Sequence, residues 1–157
     1  MPTFSAGLLL HRTGDAGTEV LLVHPGGPFW AKKDEGAWSI PKGEHDDGDD
    51  PHACALREFA EELGRPAPPS DEADRDLGEV RLKSGKRVRA FAREGTFDAT
   101  EIESNTFEQE WPPRSGRTET FPEVDRAGWF TIDEARAKLN PAQATLLDRL
   151  LDDDEPA

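Results

Sequence analysis

The stretch PKGEHDDGDDPHACALREFAEELG, residues 41–64, decides the fold of this chain because it leads from a turn-rich loop into one short helix. Asp50 followed by Pro51 is a strong helix start, since aspartate caps free backbone N–H groups and proline is tolerated at the first helical position. Gly64 is a natural helix stop. The sequence therefore predicts a helix of about 13 residues between these signals.

Two different faces are predicted on this helix from a rotation of about 100° per residue. The apolar face is expected to contain Ala53, Leu56, Phe59, Ala60 and Leu63. The opposite face gathers Glu58, Glu61 and Glu62, and like charges at this spacing repel one another and weaken a helix. Three such oxygen donors suit Mg²⁺ or Mn²⁺ rather than zinc or copper. The alternative is an ordinary solvated face in an acidic chain.

The composition excludes several other classes of protein. The 157 residues carry 33 acidic and 19 basic side chains, a net charge of −14, which disfavours long nucleic acids as partners. No apolar run is long enough for a transmembrane helix, so no membrane partner is expected. A single cysteine, Cys54, excludes an internal disulfide and favours the cytoplasm.

The rest of the chain mixes extended segments with a few helices and predicts one α+β domain over residues 1–150. An acidic tail is expected over residues 151–157. A capping box at residues 131–134 predicts a helix to about residue 139, and Asn140-Pro141 predicts the start of another. Residues 65–76 are expected to form a loop and residues 95–117 an irregular segment. Strands are expected at residues 4–11, 19–24, 77–82 and 86–97, and ending at Trp129-Phe130.

The segment from Gly43 to Arg65 closely resembles the signature of the Nudix hydrolase family, G-x5-E-x7-R-E-U-x-E-E-x-G-U, in which U is a bulky apolar residue. Two positions depart from that signature. Asp49 stands where the family usually has glutamate, and Arg65 stands where it usually has an apolar residue. The positions that match in register are Gly43, Arg57, Glu58, Phe59, Glu61, Glu62 and Gly64.

The resemblance implies an α/β/α sandwich around a mixed sheet, with Mg²⁺ or Mn²⁺ as the cofactor. It implies that Glu58, Glu61 and Glu62 are metal ligands and that the carbonyl oxygen of Gly43 is a further ligand. Arg57 would orient the glutamates by charge-assisted hydrogen bonds, and Asp49 would support Arg57. The alternative for Arg57 is a surface pair with Glu61. The general base would be one of these carboxylates or one outside the motif. Family members often place an extra carboxylate near Glu119 or Glu123, and Glu123 is favoured.

The sequence identifies the substrate-binding residues less clearly than the metal ligands. Lys42, Arg87 and Arg89 are candidates for binding phosphate, although the two arginines could equally lie on the solvated face of a hairpin. Trp111, in a polar loop before two prolines, is the candidate for stacking on a base, although tryptophan is more commonly buried. The four histidines lack metal-ligand spacing and are expected at the surface or in loops, and Cys54 is expected to be inert.

The function expected from this resemblance is hydrolysis of a phosphoanhydride in a nucleoside polyphosphate or a dinucleoside polyphosphate. The partner is then a small nucleotide, and the chain is expected to be a monomer or a homodimer. One alternative, suggested by Asp49, is a nucleotide-binding or regulatory module of the same fold with little catalysis. Another is an acidic interaction domain whose motif is a chance match.

Overall fold

The computed structural model describes residues 4–152 of the chain. No helix in that range is both long and apolar enough to span a membrane. The three helices are α1 (Pro51–Leu63), α2 (Ile132–Lys138) and α3 (Thr145–Asp152), and a 3-10 turn at Pro141–Gln143 precedes α3. The eight strands are β1 (Phe4–Gly14), β2 (Gly17–Pro25), β3 (Lys42–His45), β4 (Arg75–Arg81), β5 (Arg87–Glu94), β6 (Thr106–Glu110), β7 (Thr118–Pro122) and β8 (Val124–Thr131).

Six of these strands form one mixed sheet in the order β4-β5-β1-β2-β8, with β3 added to β1. β1 and β5 run parallel, whereas the other pairs are antiparallel. β6 and β7 form a separate antiparallel hairpin. The α+β class and the mixed sheet expected from the sequence are confirmed.

Helices cover both faces of the sheet, because its central strands are apolar on both sides. In β1, Leu8 and Leu10 point to the layer that holds α1, and Leu9 points to the layer that holds α2 and α3. Leu21 and Leu22 of β2 divide in the same way. This two-sided packing produces the α/β/α sandwich.

α1 has the length and the ends that its sequence predicts. Asp50 accepts hydrogen bonds from the backbone N–H groups of His52 and Ala53, and Gly64 takes a left-handed conformation at φ 81°. The predicted apolar face was only partly correct, because Ala53 is exposed, whereas Cys54 and Ala55 are buried beside Phe59 and Leu63. The buried stripe is therefore rotated toward Cys54, and that rotation changes where the glutamates point.

Three further expectations need correction. Residues 95–117 are not wholly irregular, since they contain β6, and the predicted loop at residues 65–76 ends in the first two residues of β4. Leu151 and Asp152 belong to α3 rather than to the tail, and residues 153–157 lie outside the described residues. The predicted start of the tail was wrong because the amphipathic pattern of α3 continues to Leu151.

The prediction that all four histidines lie at the surface or in loops is wrong for His24, which is buried in β2. Its Nδ1 atom lies 2.8 Å from an oxygen of the Asp125 carboxylate, and its Nε2 atom lies 2.6 Å from the carbonyl oxygen of Lys33. Both ring nitrogens are therefore paired, as a buried imidazole requires. These two contacts tie the loop after β2 to the start of β8, and that loop approaches the candidate site.

Candidate active site

A cavity of about 320 Å³ opens where β3, α1 and the segment between β7 and β8 meet. Acidic and basic groups converge on it, although the chain as a whole is strongly acidic. Its charged side chains come from four separate parts of the sequence. The lining groups that matter most for chemistry are Gly43, Glu58, Glu62, Glu123, Lys42 and Lys86.

The caps and the buried stripe of α1 place its glutamates around this cavity. Glu58 and Glu62 are one turn apart and partly buried, and both line the cavity. Glu61 is exposed and does not line it, but it lies close enough to raise the pKa of Glu58. The three glutamates therefore differ in environment, although the sequence presents them as one cluster.

β3 packs closely against α1 because residue 43 is glycine. A Cβ atom built on Gly43 would lie 1.8 Å from Oε1 of Glu58, so no larger residue fits without displacing that carboxylate. The backbone N–H of the neighbouring Lys42 donates a hydrogen bond of 3.3 Å to Oε1 of Glu62. The strand thus fixes both glutamates, and the Gly43 carbonyl group lies beside α1, where it accepts from the Cys54 thiol at 3.6 Å.

Burial dominates the electrostatics of the cavity. The pKa of Glu62 is raised to about 8, mainly by burial and to a smaller extent by the charges of Glu58 and Glu123, against the opposing effect of Lys42. Burial and the charge of Glu61 raise the pKa of Glu58 above its usual value. Burial, followed by repulsion from Lys86, lowers the pKa of Lys42. The attraction between Lys42 and Glu62 does not compensate for their loss of hydration. Burying these charged groups therefore lowers the folding stability unless a further charge enters the cavity.

Arg57 and Asp49 occupy different surroundings from those that the family resemblance implies. Arg57 is about half exposed, lies 3.7 Å from a carboxylate oxygen of Glu58, and donates to the sulfur of Cys54 at 3.5 Å. Asp49 accepts a hydrogen bond from the backbone of Asp46, 3.0 Å away, inside the loop before α1. Among residues 4–152, no side-chain hydrogen bond joins Asp49 or Glu61 to Arg57. Arg57 therefore contacts one glutamate, and Asp49 shapes the loop.

Arg87, Arg89 and Trp111 do not line the cavity. Arg87 is exposed, and Arg89 pairs with the carboxylate of Asp76 on β4, with its Nε 3.0 Å from Oδ2. Trp111 lies at the turn between β6 and β7. Lys86, just before β5, lines the cavity in place of the two arginines.

The two candidates for the extra carboxylate lie in different parts of the structure. Glu123 lies between β7 and β8 and lines the cavity, whereas Glu119 is exposed in the middle of the β6–β7 hairpin. The backbone N–H of Gly26 donates to the Glu123 carbonyl at 2.9 Å, and the Glu123 N–H donates to the carbonyl of Asn105 at 2.8 Å. These two bonds hold the Glu123 backbone at the cavity rim.

Sequence reasoning missed Ser5 and Asn105, which also line the cavity. Ser5 is buried, and its hydroxyl oxygen has no hydrogen-bond partner within the described part of the chain. Such an unsatisfied group in a polar cavity is costly unless a ligand or water pairs with it. A small polar residue inside the apolar run of β1 was the available signal.

The donor set fits a hard divalent cation in its chemistry. The cavity offers glutamate carboxylates beside a backbone carbonyl and an unpaired hydroxyl, and oxygen donors of this kind are those that Mg²⁺ and Mn²⁺ prefer. Within residues 4–152, no three acidic, histidine or cysteine side chains are close enough together to hold an ion as they stand. Glu58, Glu62 and Glu123 would therefore have to converge to bind one.

The family model of the NUDIX domain matches residues 1–150 of the chain. The chain therefore belongs to the Nudix family, and this assignment supports a hydrolase that acts on phosphoanhydride bonds. A search of curated proteins found no match.

Solved structures with this fold include an Ap4A hydrolase from C. elegans in a binary complex, 19% identical, with a TM-score of 0.61 over 94% of this chain and 96% of that one. The NUDIX domain of Shewanella oneidensis NrtR, complexed with ADP ribose, is 16% identical, with a TM-score of 0.65 over 98% of this chain and 88% of that one. A MutT protein from Methanosarcina mazei Go1 is 16% identical, with a TM-score of 0.61 over 99% and 97% of the two chains. At these identities the similarity establishes the fold alone.

Proposed function

We propose that this chain is a divalent-metal-dependent pyrophosphohydrolase that cleaves a phosphoanhydride in a nucleoside polyphosphate or a dinucleoside polyphosphate. The observation that carries the proposal is that one cavity is lined by three glutamates and two lysines, namely Glu58, Glu62, Glu123, Lys42 and Lys86. The carboxylates suit a cation, and the lysines suit the phosphate that the cation recruits. The Ap4A hydrolase with this fold makes a dinucleoside polyphosphate a reasonable first substrate to test.

In this proposal Glu58, Glu61 and Glu62, the Gly43 carbonyl group and Glu123 would hold the metal. The metal would neutralise charge on the phosphate oxygens and make a water molecule more acidic. Glu61 does not line the cavity, so its side chain would have to turn toward Glu58 to bind the metal, and Arg57 would position Glu58 through the contact described above.

The chain's own residues would bind the substrate phosphates and move the proton. Lys42 and Lys86 would bind the substrate phosphates, which the carboxylates of the cavity repel. The general base would be whichever of Glu58, Glu61, Glu62 and Glu123 does not bind the metal through the oxygen that accepts the proton.

The test is product analysis by mass spectrometry with Mg²⁺ and a mixed pool of nucleoside triphosphates, dinucleoside polyphosphates, ADP-ribose and nucleotide sugars. The wild-type chain should cleave one class selectively, and Glu62→Gln should lose that activity by several orders of magnitude. Glu119→Gln, which removes a surface carboxylate from the hairpin, is the matched control and should retain it. If no member is cleaved with Mg²⁺ or Mn²⁺, the nucleotide-binding module replaces the enzyme as the proposed function.

A further inference from the structure

A second cavity, of about 710 Å³, lies away from the proposed active site and shares no lining residue with it. It forms between the end of the β1–β2 region, the segment after α1 and the segment after β5. Its apolar wall includes Pro66, Pro68, Phe97 and Trp129. A volume of this size falls in the range of small-molecule sites.

Two arginines stack on the aromatic rings of this cavity. The Arg12 guanidinium lies 3.9 Å from the centre of the Trp129 ring, and the Arg65 guanidinium lies 4.4 Å from the centre of the Phe97 ring. Cation–π contacts of this kind hold planar guanidinium groups in a fixed orientation. Arg65 is the position at which the family motif usually has an apolar residue, so the departure places a charge in this cavity.

Each arginine keeps N–H donors that the protein does not use. Arg12 donates from Nε to Glu19 and from one terminal nitrogen to Thr96. Arg65 uses one terminal nitrogen for the backbone carbonyls of Asp98 and Glu101. An arginine has five donors, so about three on each remain available. These contacts fix the guanidinium groups while leaving hydrogen-bonding capacity for a ligand.

The cavity wall carries more basic than acidic side chains, unlike the chain as a whole. Asp98 is the one acidic side chain among its described lining residues, and its Oδ1 atom accepts from both the backbone and the hydroxyl of Thr100. Glu19, which is not a lining residue, pairs with Arg12 at 2.8 Å, so two carboxylates offset the two guanidinium charges, and the site is far less acidic than a chain of net charge −14. The unused guanidinium donors, rather than an excess of charge, favour an anionic ligand.

We propose that this cavity, built on Arg12, Arg65, Phe97 and Trp129, is a second binding site for a small planar anion. The ligand class is an aromatic or heteroaromatic ring that carries a phosphate or a carboxylate group. The anion pairs with the free guanidinium donors, and the ring packs against the proline and aromatic wall. The site is independent of phosphoanhydride hydrolysis, so it can fail while the proposed enzymatic function stands, and the reverse also holds.

The test follows the indole N–H signals of the four tryptophans by NMR in the full-length chain. Adenosine 5′-monophosphate and nicotinate are the planar anions. The controls are adenosine, which has the ring but no anionic group, and inorganic phosphate, which is an anion without a ring. The Trp129 signal, assigned with Trp129→Phe, should move saturably with at least one planar anion and much less with either control. Because Trp129 lies outside the proposed active site, ligand bound there would not produce this response.

Two arginine variants localise the site. Arg12→Gln or Arg65→Gln should weaken binding about tenfold or more, since each removes a charge-assisted contact. Arg136→Gln, which removes an equal charge paired with Asp148 outside the cavity, should bind as the wild type does. Glu62→Gln should also leave the Trp129 response intact.

The other indole signals show whether each variant remains folded. The proposal is overturned if the wild-type Trp129 signal does not respond to either planar anion. It is also overturned if adenosine or phosphate alone binds as well, or if both arginine variants retain full affinity.

Discussion

Replacing Glu62 by glutamine should make the protein more stable at neutral pH when divalent cations are absent. Burial raises the pKa of Glu62 from its usual 4.5 to about 8, so the folded chain binds this proton more tightly than the unfolded chain does. The stability that the protonated group provides is present below pH 4.5 and is lost as the pH rises toward 8. Glutamine carries no charge and keeps the oxygen that accepts from the Lys42 backbone.

The magnitude follows from proton linkage. Each unit of pKa corresponds to about 1.36 kcal/mol, and at about pH 7 most of the interval between the two pKa values has been crossed. At that pH the folded chain must take up at Glu62 a proton that the unfolded chain has lost, and this costs about 3 kcal/mol of folding free energy. A domain of this kind has a total stability of only about 5–15 kcal/mol, so the effect is large enough to measure.

Urea unfolding in EDTA at about pH 5 and about pH 8 measures this difference. The free energy of unfolding of the wild type should fall relative to that of Glu62→Gln as the pH rises. Comparing the variants removes the contributions of other titrating groups, and Glu119→Gln controls for the loss of one negative charge. Added Mg²⁺ should stabilise the wild type more than Glu62→Gln by mass action. Parallel pH dependence of the wild type and Glu62→Gln would refute the reasoning.

Three further substitutions test the account at other points. Gly43→Ala should lower turnover about 100-fold, because the new Cβ atom displaces the Glu58 carboxylate, and steady-state kinetics at saturating Mg²⁺ would measure it. Lys86→Gln should raise KM about tenfold, because Lys86 lines the cavity. Arg89→Gln is the control and should leave KM unchanged, since Arg89 pairs with Asp76 outside the cavity. Equal KM values for Lys86→Gln and the wild type would show that Lys86 does not bind phosphate. Asp50→Ala should lower the free energy of unfolding by about 1 kcal/mol in urea titrations while kcat stays unchanged.

Local signals predicted the elements whose ends are marked by side-chain chemistry. α1 begins at its Asp50 cap and ends before Gly64, and α2 begins at the capping box of Thr131 and Glu134. Such signals act within a few residues and can be read directly from the sequence. The hairpin strand β6 lacked them, because TFEQE at residues 106–110 is mostly polar and forms its ladder with β7 alone.

The motif predicted which residues of α1 and β3 meet, but not which distant residues join them. Glu58, Glu62 and Gly43 lie in one continuous segment, so their spacing is enough to bring them together. Ser5 and Lys86 reach the cavity through the pairing of β1 with β3 and β5, which is a property of the whole sheet. Excluding Arg89 from the phosphate site would have required knowing that its side chain pairs with Asp76 on the neighbouring strand.

The most direct test of the central claim is the dependence of hydrolysis on divalent cation for the wild type and Glu123→Gln. The account predicts no turnover in EDTA, recovery with Mg²⁺ or Mn²⁺, and a higher Mg²⁺ concentration for half-maximal activity in Glu123→Gln. Undiminished hydrolysis in EDTA, or identical Mg²⁺ dependence in both proteins, would contradict the assignment of this cavity as a metal-dependent active site.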